Sequence, residues 1–150
     1  MTEIPLVRPL AVLALVAAAL AGGWGRPPDD SQTQQVRERL VGTWVREYQE
    51  QATIVRRVLV LESSGVFRER SIVTGEGAAA VAHEGEGDWL FDGTNLKRHY
   101  RRVDGHALSA PTIPFATFAV RFPSHNEFIG LDHIRKVQVH YLRVAEGTEP

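Results

Sequence analysis

The sequence predicts an all-β protein, an eight-stranded antiparallel up-and-down barrel preceded by one short helix. Segments rich in Val, Ile, Phe, Tyr and Arg follow one another from Gly42 onward, separated by turns rich in Gly, Asp and Ser. These segments recur about every 9 to 14 residues, and such short connections join antiparallel neighbours. Eight or nine strands in about 125 residues favour a closed barrel, because closure removes the exposed strand edges.

Residues 1–21 have the pattern of a secretory signal peptide. Arg8 precedes an uncharged apolar run over residues 9–20, and Ala19 and Ala21 supply the small side chains that a signal peptidase requires. The apolar run is shorter than the ~20 residues of a membrane-spanning helix. We therefore predict cleavage after Ala21 and a periplasmic or secreted protein without a membrane span, with an uncleaved anchor as the alternative.

The remaining chain divides into a linker over residues 22–30 and a single domain over residues 31–146. Glycines and prolines in the linker oppose regular structure. Ser31 and Gln34 form a capping box that predicts the start of a helix, and Gly42 is placed to end it.

Strands are predicted for the rest of the domain. Asp92-Gly93 indicates a tight hairpin, because this dipeptide tolerates the positive φ of a type I′ turn. The predicted strands lie at residues 42–48, 53–61, 66–73, 78–83, 88–91, 94–103, 115–122, 127–131 and 136–144.

Composition excludes several classes of function. The chain has 150 residues, and its 17 Lys and Arg against 18 Asp and Glu give a net charge of -1, so no bulk attraction to nucleic acid is expected. The absence of cysteine excludes disulfides, a thiolate nucleophile and every Cys-based metal site. No hydrolase, zincin or phosphate-binding motif is present, so we predict no cofactor and no metal, and assign no catalytic residue.

Five short motifs follow one another along the predicted strands. They are Leu40-Val-Gly-Thr-Trp44, Ser64-Gly-Val-Phe67, Gly85-Glu-Gly-Asp-Trp89, Asn126-Glu-Phe128 and Tyr141-Leu-Arg-Val144. This series resembles the small bacterial lipocalin-like domains of the calycin group. The resemblance implies an eight-stranded barrel with a helix across one end. It also implies that Trp44, after Gly42, packs inside that end against Arg143, with Trp89 as a second structural residue.

Alternation along the predicted strands indicates which side chains face the inside of the barrel. It places Arg and Tyr residues on faces that are otherwise apolar. Because a buried guanidinium is costly without a partner, such a lumen favours a carboxylate or sulfonate group with an apolar tail. We therefore predict that a small hydrophobic or amphipathic molecule binds there, at Arg46, Tyr48, Arg98, Tyr100, Arg102 and Tyr141.

Several alternatives remain open on the sequence. Arginines at positions 57, 68 and 70 can pair on the outer surface with acidic residues 47, 69 and 92, and the barrel can be filled by its own side chains and act as an envelope or protein-interaction module. A lumen-based enzyme would need a buried carboxylate or His with a shifted pKa. A metal site built from His125, His133 and His140 is also open, although these histidines lack a tight spacing. A single His ligand to haem is open in the same way.

Overall fold

The computed structural model describes residues 29–109 and 115–150, so the predicted signal peptide and most of the predicted linker lie outside the described residues. Among the described residues, no helix combines the length and apolar character needed to cross a membrane. The elements are one helix, α1 (Asp30–Leu40), and the strands β1 (Gly42–Glu50), β2 (Thr53–Leu61), β3 (Val66–Gly75), β4 (Val81–Phe91), β5 (Asn95–Val103), β6 (His106–Ala107), β7 (Phe115–Ser124), β8 (Glu127–Asp132) and β9 (Val137–Val144).

Eight of these strands close into a ring. The order is β4-β3-β2-β1-β9-β8-β7-β5, and pairing of β4 with β5 completes the circle. All pairs in the ring are antiparallel, and the short strand β6 pairs only with β5. The predicted closed up-and-down barrel is therefore confirmed.

The helix starts earlier than the capping-box pattern predicts. Asp29 is the N-cap residue, and its carboxylate accepts the Ser31 backbone N–H at 3.4 Å. The predicted box does not form, because the Ser31 hydroxyl donates to Asp29 and the Gln34 side chain donates to Glu38, one turn further on. A carboxylate at the positive end of the helix dipole is a favourable cap, which explains why Asp29 takes this role.

The predicted strands 78–83 and 88–91 are a single strand, β4. Gly85 and Gly87 lie within it because they allow close approach to β5. A Cβ atom at Gly85 would lie 2.9 Å from the Tyr100 ring, and one at Gly87 would lie 1.9 Å from the His99 carbonyl oxygen. These glycines therefore serve packing between strands and do not end the strand.

Helix α1 covers one end of the barrel, here called the helix end. Leu40 is fully buried in the core, and its carbonyl accepts the indole N–H of Trp44 at 2.8 Å. Trp44 packs edge-on against Phe128 at 4.7 Å, and Phe128 stacks on Tyr141 at 4.9 Å between ring centroids. The protein's own side chains thus fill this half of the barrel, and the space for a cavity is at the opposite end. We call that end the mouth; it carries the turns at residues 51–52, 76–80, 104–105 and 133–136.

Candidate functional site

Five of the six predicted ligand-binding residues lie on the inner face of the barrel. The register of β1 against β2 is continuous over all nine residues, so Arg46 and Tyr48 share the inward face of buried Trp44. Arg98 is buried, with only 2% of its surface exposed, and Tyr100 is partly buried on the same face of β5. The fifth residue is the fully buried Tyr141 on β9.

Arg102 does not share this face. Glu86 pairs with Arg102 but the next residue, Gly87, pairs with Tyr100, so Arg101 is an extra residue in β5. Such a bulge reverses the alternation beyond it. Arg102 therefore lies on the outer surface, where its guanidinium is 3.5 Å from the Glu86 carboxylate.

The structural residues expected from the motifs meet at the helix end. The Arg143 guanidinium lies 4.2 Å from the centroid of the Trp44 ring and donates to the Val41 carbonyl at 3.0 Å. Gly42 has φ +139°, and a Cβ there would lie 2.3 Å from Arg143 Nη1, so only glycine leaves room for this guanidinium. Burial and the neighbouring positive charge of Arg39 lower the pKa of Arg143 below its usual value.

Trp89 anchors the turn between β2 and β3 at the same end. Its indole N–H donates to the Glu62 carbonyl at 2.9 Å, and the Arg37 guanidinium of α1 lies 5.2 Å from its ring centroid. Both tryptophan N–H groups near the core are therefore satisfied, which makes this end a closed, packed support for the lumen above it.

A charged cluster occupies the middle of the lumen. Arg98 donates a hydrogen bond to the Glu69 carboxylate, and the Tyr100 hydroxyl lies 3.3 Å from the same group. Arg57 approaches Glu69 as well, with 3.5 Å between its Nε and the carboxylate oxygen. The alternative that places Arg57 and Glu69 on the outer surface is therefore wrong.

The alternation of apolar residues along β2 and β3 indicates that Arg57 and Glu69 face the lumen. Arg57 lies between Val55 and Leu59, which are both buried, and Glu69 follows the fully buried Phe67 by two positions. Residues at this spacing share one face of a strand.

The cluster keeps its charges ionised. Burial alone would raise the pKa of Glu69, but the Arg98 and Arg57 guanidiniums outweigh it and hold that pKa below its usual value. Burial opposes the charge of Arg98 too, and the Glu69 carboxylate more than compensates and raises its pKa. Burial raises the pKa of Tyr100 to about 12, against the opposing effect of Arg98, so its hydroxyl stays protonated.

These shifts suit charge recognition better than proton transfer. A general base is most effective when its pKa lies near the working pH, and the pKa of Glu69 moves in the opposite direction. The buried carboxylate of the enzyme alternative is thus present, but it acts as the counter-ion of two arginines.

A cavity of about 330 Å³ lies between this cluster and the mouth. Its lining combines valine and tyrosine side chains with polar ones, among them Thr53, Ser71 and His83. Its volume is at the lower end of the range for small-molecule sites, about 300–1,000 Å³. Glu50 and Glu84 lie at its rim, where they are exposed to solvent. The side chains that line it below the rim include Tyr48, Val55, Arg57, Glu69, Val73, Tyr100 and Val103.

Two guanidiniums share one carboxylate in the lumen cluster, since Arg57 and Arg98 both approach Glu69. Arg46 and Arg57 are register partners on β1 and β2, and the Arg46 guanidinium stacks 3.9 Å from the Tyr48 ring centroid. Arg46 therefore brings a third guanidinium to the inner face, opposite Arg57. Like charges opposite each other on a sheet are unfavourable, and a further anion would relieve them.

The histidines of the metal alternative do not come together. His125 lies in the turn at the helix end, whereas His133 lies in a turn at the mouth. The His140 ring is 3.6 Å from the Glu127 carboxylate. Within the ranges that the structure describes, no group of three His, Cys, Asp or Glu side chains is arranged to hold a metal ion.

The acidic residues of β4 lie on the outer surface and pair with arginines. Glu84 is 3.1 Å from Arg70, and Asp88 accepts a hydrogen bond from Arg101.

Comparison with known proteins adds no family: no protein-family model and no curated protein matches this chain significantly. The site is therefore interpreted from its own geometry.

Proposed function

We propose that this barrel binds a small amphipathic acid, with the acid group at the lumen arginines and an apolar tail along the cavity wall. The observation that carries the proposal is that two guanidiniums, Arg57 and Arg98, share the Glu69 carboxylate at the base of a cavity whose lining includes three valines and two tyrosines. In a site with restricted access to water, a ligand carboxylate gains charge-assisted hydrogen bonds from arginine.

Arg57 is the guanidinium that such a ligand would reach first. It lines the cavity and a quarter of its side chain, 25%, remains exposed, whereas Arg98 is buried and already held by Glu69. The Arg57 Nε is buried without a hydrogen-bond partner. Glu69 in this proposal is a positioning residue, because its charge keeps two arginines inside the barrel.

The volume restricts the size of the ligand. At roughly 30 Å³ for each water-sized group, the cavity holds about ten non-hydrogen atoms. Octanoate has this size and combines a carboxylate with an unbranched apolar chain. Octan-1-ol and octylammonium provide matched ligands that change only the charge of the head group.

Isothermal titration calorimetry with these three compounds at pH 7 tests the proposal. We expect octanoate to bind more tightly than octan-1-ol, and octylammonium to bind most weakly. Arg57→Gln should weaken octanoate binding about tenfold or more, since it removes a charge-assisted hydrogen bond. Arg68→Gln is the matched control, because Arg68 lies on the outer face of β3 and pairs with Glu62 at 2.9 Å.

Two outcomes would refute the acid site. Binding of octan-1-ol as tight as that of octanoate would show that the lumen charge is not used. Equal octanoate affinity of Arg57→Gln and Arg68→Gln would show that the ligand does not reach the lumen arginines. In either case the filled-barrel alternative would gain support.

Export is a second part of the proposal, and it depends on the sequence of residues 1–21. Mass spectrometry of the protein purified from an expressing cell, without detergent, measures it directly. A chain that begins at Gly22 would support export with cleavage. A chain that retains Met1 and sediments with membranes would support the anchor alternative.

A further inference from the structure

The turn between β8 and β9 exposes apolar side chains at the mouth. Ile134, in this turn, is 90% exposed. Leu131, on the outer face of β8, and Val137, on the inner face of β9, are also exposed on either side of the turn. We call these three residues the apolar rim. Exposed apolar side chains gathered at one turn indicate an interaction surface.

The turn that carries Ile134 has a defined conformation. The Asp132 carboxylate accepts the backbone N–H groups of Ile134 and Arg135, both at 2.9 Å. Lys136 closes the turn with φ +59°. The isoleucine is thus presented to solvent by an ordered backbone.

The charge around Ile134 is mainly positive. Arg135 and Lys136 follow it, with 79% of the Arg135 side chain exposed. The Asp132 carboxylate is only 13% exposed; it accepts the turn backbone N–H groups and lies 4.0 Å from the Arg135 Nε. An apolar tip beside cations is complementary to a bilayer surface, where acyl chains lie beneath anionic phosphates.

The opposite side of the mouth has a different character. The turn between β3 and β4, which lies across the ring from β8 and β9, carries Glu76 between two glycines. This carboxylate would be repelled by an anionic surface. The charge distribution therefore selects the β8–β9 side of the mouth as the side that faces a membrane.

We propose that the apolar rim and its two cations dock this barrel on an anionic lipid bilayer, with the mouth towards the surface. Ile134 enters the headgroup region, while Arg135 and Lys136 contact phosphates. This orientation extends the proposed function without depending on it, since an amphipathic acid partitions into the same surface that the mouth then faces.

Co-sedimentation with lipid vesicles tests this docking. We expect the protein to bind vesicles of equal parts phosphatidylcholine and phosphatidylglycerol, to bind pure phosphatidylcholine less, and to dissociate at high salt. Ile134→Ser should weaken binding about tenfold. Replacing both Arg135 and Lys136 with Gln should weaken it by about fivefold per cation.

Ile54→Ser is the matched control. Ile54 is an exposed isoleucine near the mouth on β2, 52% exposed, but it lies outside the apolar rim. All variants share the same N-terminal sequence, so membrane affinity of residues 1–21 would affect them equally. Because the changed side chains are exposed, each variant should keep the circular dichroism spectrum of the parent.

The proposal is overturned if the parent protein does not bind the vesicles that contain phosphatidylglycerol, or if Ile134→Ser binds them as tightly as the parent does. It is also overturned if Ile54→Ser loses as much binding as Ile134→Ser, which would show non-specific adsorption of exposed apolar side chains. Octanoate affinity measured without vesicles separates the two proposals. We expect Ile134→Ser to leave that affinity unchanged, whether or not the acid site exists.

Discussion

Glu69→Gln should destabilise the barrel severely. The substitution leaves the Arg98 guanidinium, which is 2% exposed, without its counter-ion and leaves Arg57 with a weaker partner. Removing one partner of a buried ion pair costs about 3–5 kcal/mol. We expect about 3 kcal/mol, because the Gln amide oxygen still accepts a hydrogen bond from Arg98.

This loss is a large fraction of the total. A domain of this size has a free energy of unfolding of about 5–15 kcal/mol. Each kcal/mol changes the Tm of such a domain by about 4 °C, so the predicted shift is about 12 °C downward. Urea denaturation followed by tryptophan fluorescence measures the free energy, and an unchanged m value would show that the folded state remains compact.

The triple variant Arg57→Met, Glu69→Leu, Arg98→Met tests the cause of the loss. Replacing a whole buried group of charges with apolar side chains of similar size is often neutral or stabilising, so this variant should lie within about 1 kcal/mol of the parent. Glu62→Gln is the control, since the exposed Arg68–Glu62 pair should contribute less than about 1 kcal/mol. A cost below about 1 kcal/mol for Glu69→Gln, or a triple variant as unstable as Glu69→Gln, would refute the buried ion cluster as the cause.

Three further predictions follow from the same structure. The pKa of Glu69 is lowered in the folded state, so its contribution to stability is present above the unfolded pKa of about 4.3 and is lost as the pH falls towards the folded value. The difference in free energy of unfolding between the parent and Glu69→Gln, measured by urea denaturation, should therefore shrink below about pH 4. Gly42→Ala should cost more than about 1 kcal/mol in urea denaturation, because alanine is strained at φ +139°. It should also change the near-ultraviolet circular dichroism of Trp44, because the new methyl group displaces the Arg143 guanidinium from its ring. Arg102→Gln should leave octanoate affinity unchanged in calorimetry, because Arg102 lies on the outer surface beside Glu86; a loss of affinity would place this residue in the site.

Much of the fold could be predicted because the strand pattern is regular. The turns and alternation predict the ring of eight strands, and alternation from Trp44 places Arg46 and Tyr48 inside, where the structure has them. Strands β1 and β2 pair without irregularity, so each of their side chains keeps the face that its position in the sequence indicates. Assigning these side chains to the inner face therefore requires only the sequence of their own strand, and not the identity of the strands that meet across the barrel.

The face of Arg102 could not be predicted, because it depends on one extra residue in β5. The irregularity at Glu86 and Gly87 is a property of two paired strands, and neither strand alone shows where it occurs. Gly85 and Gly87 resemble turn residues when only the sequence is considered. For this reason the prediction divided β4 into two strands. Only the contact with β5 shows why glycine is required there.

The same glycines explain how the lumen cluster forms. Glu69 on β3 and Tyr100 on β5 are not on neighbouring strands, because β4 lies between them. The residue of β4 in register with Glu69 is Gly85, which has no side chain, and a Cβ there would lie 2.9 Å from the Tyr100 ring and 4.0 Å from the Glu69 Cβ. The missing side chain lets Tyr100 and Arg98 extend across β4 to the carboxylate. The charged site therefore depends on a position that carries no functional group, and strand-by-strand analysis of the sequence overlooks it for this reason.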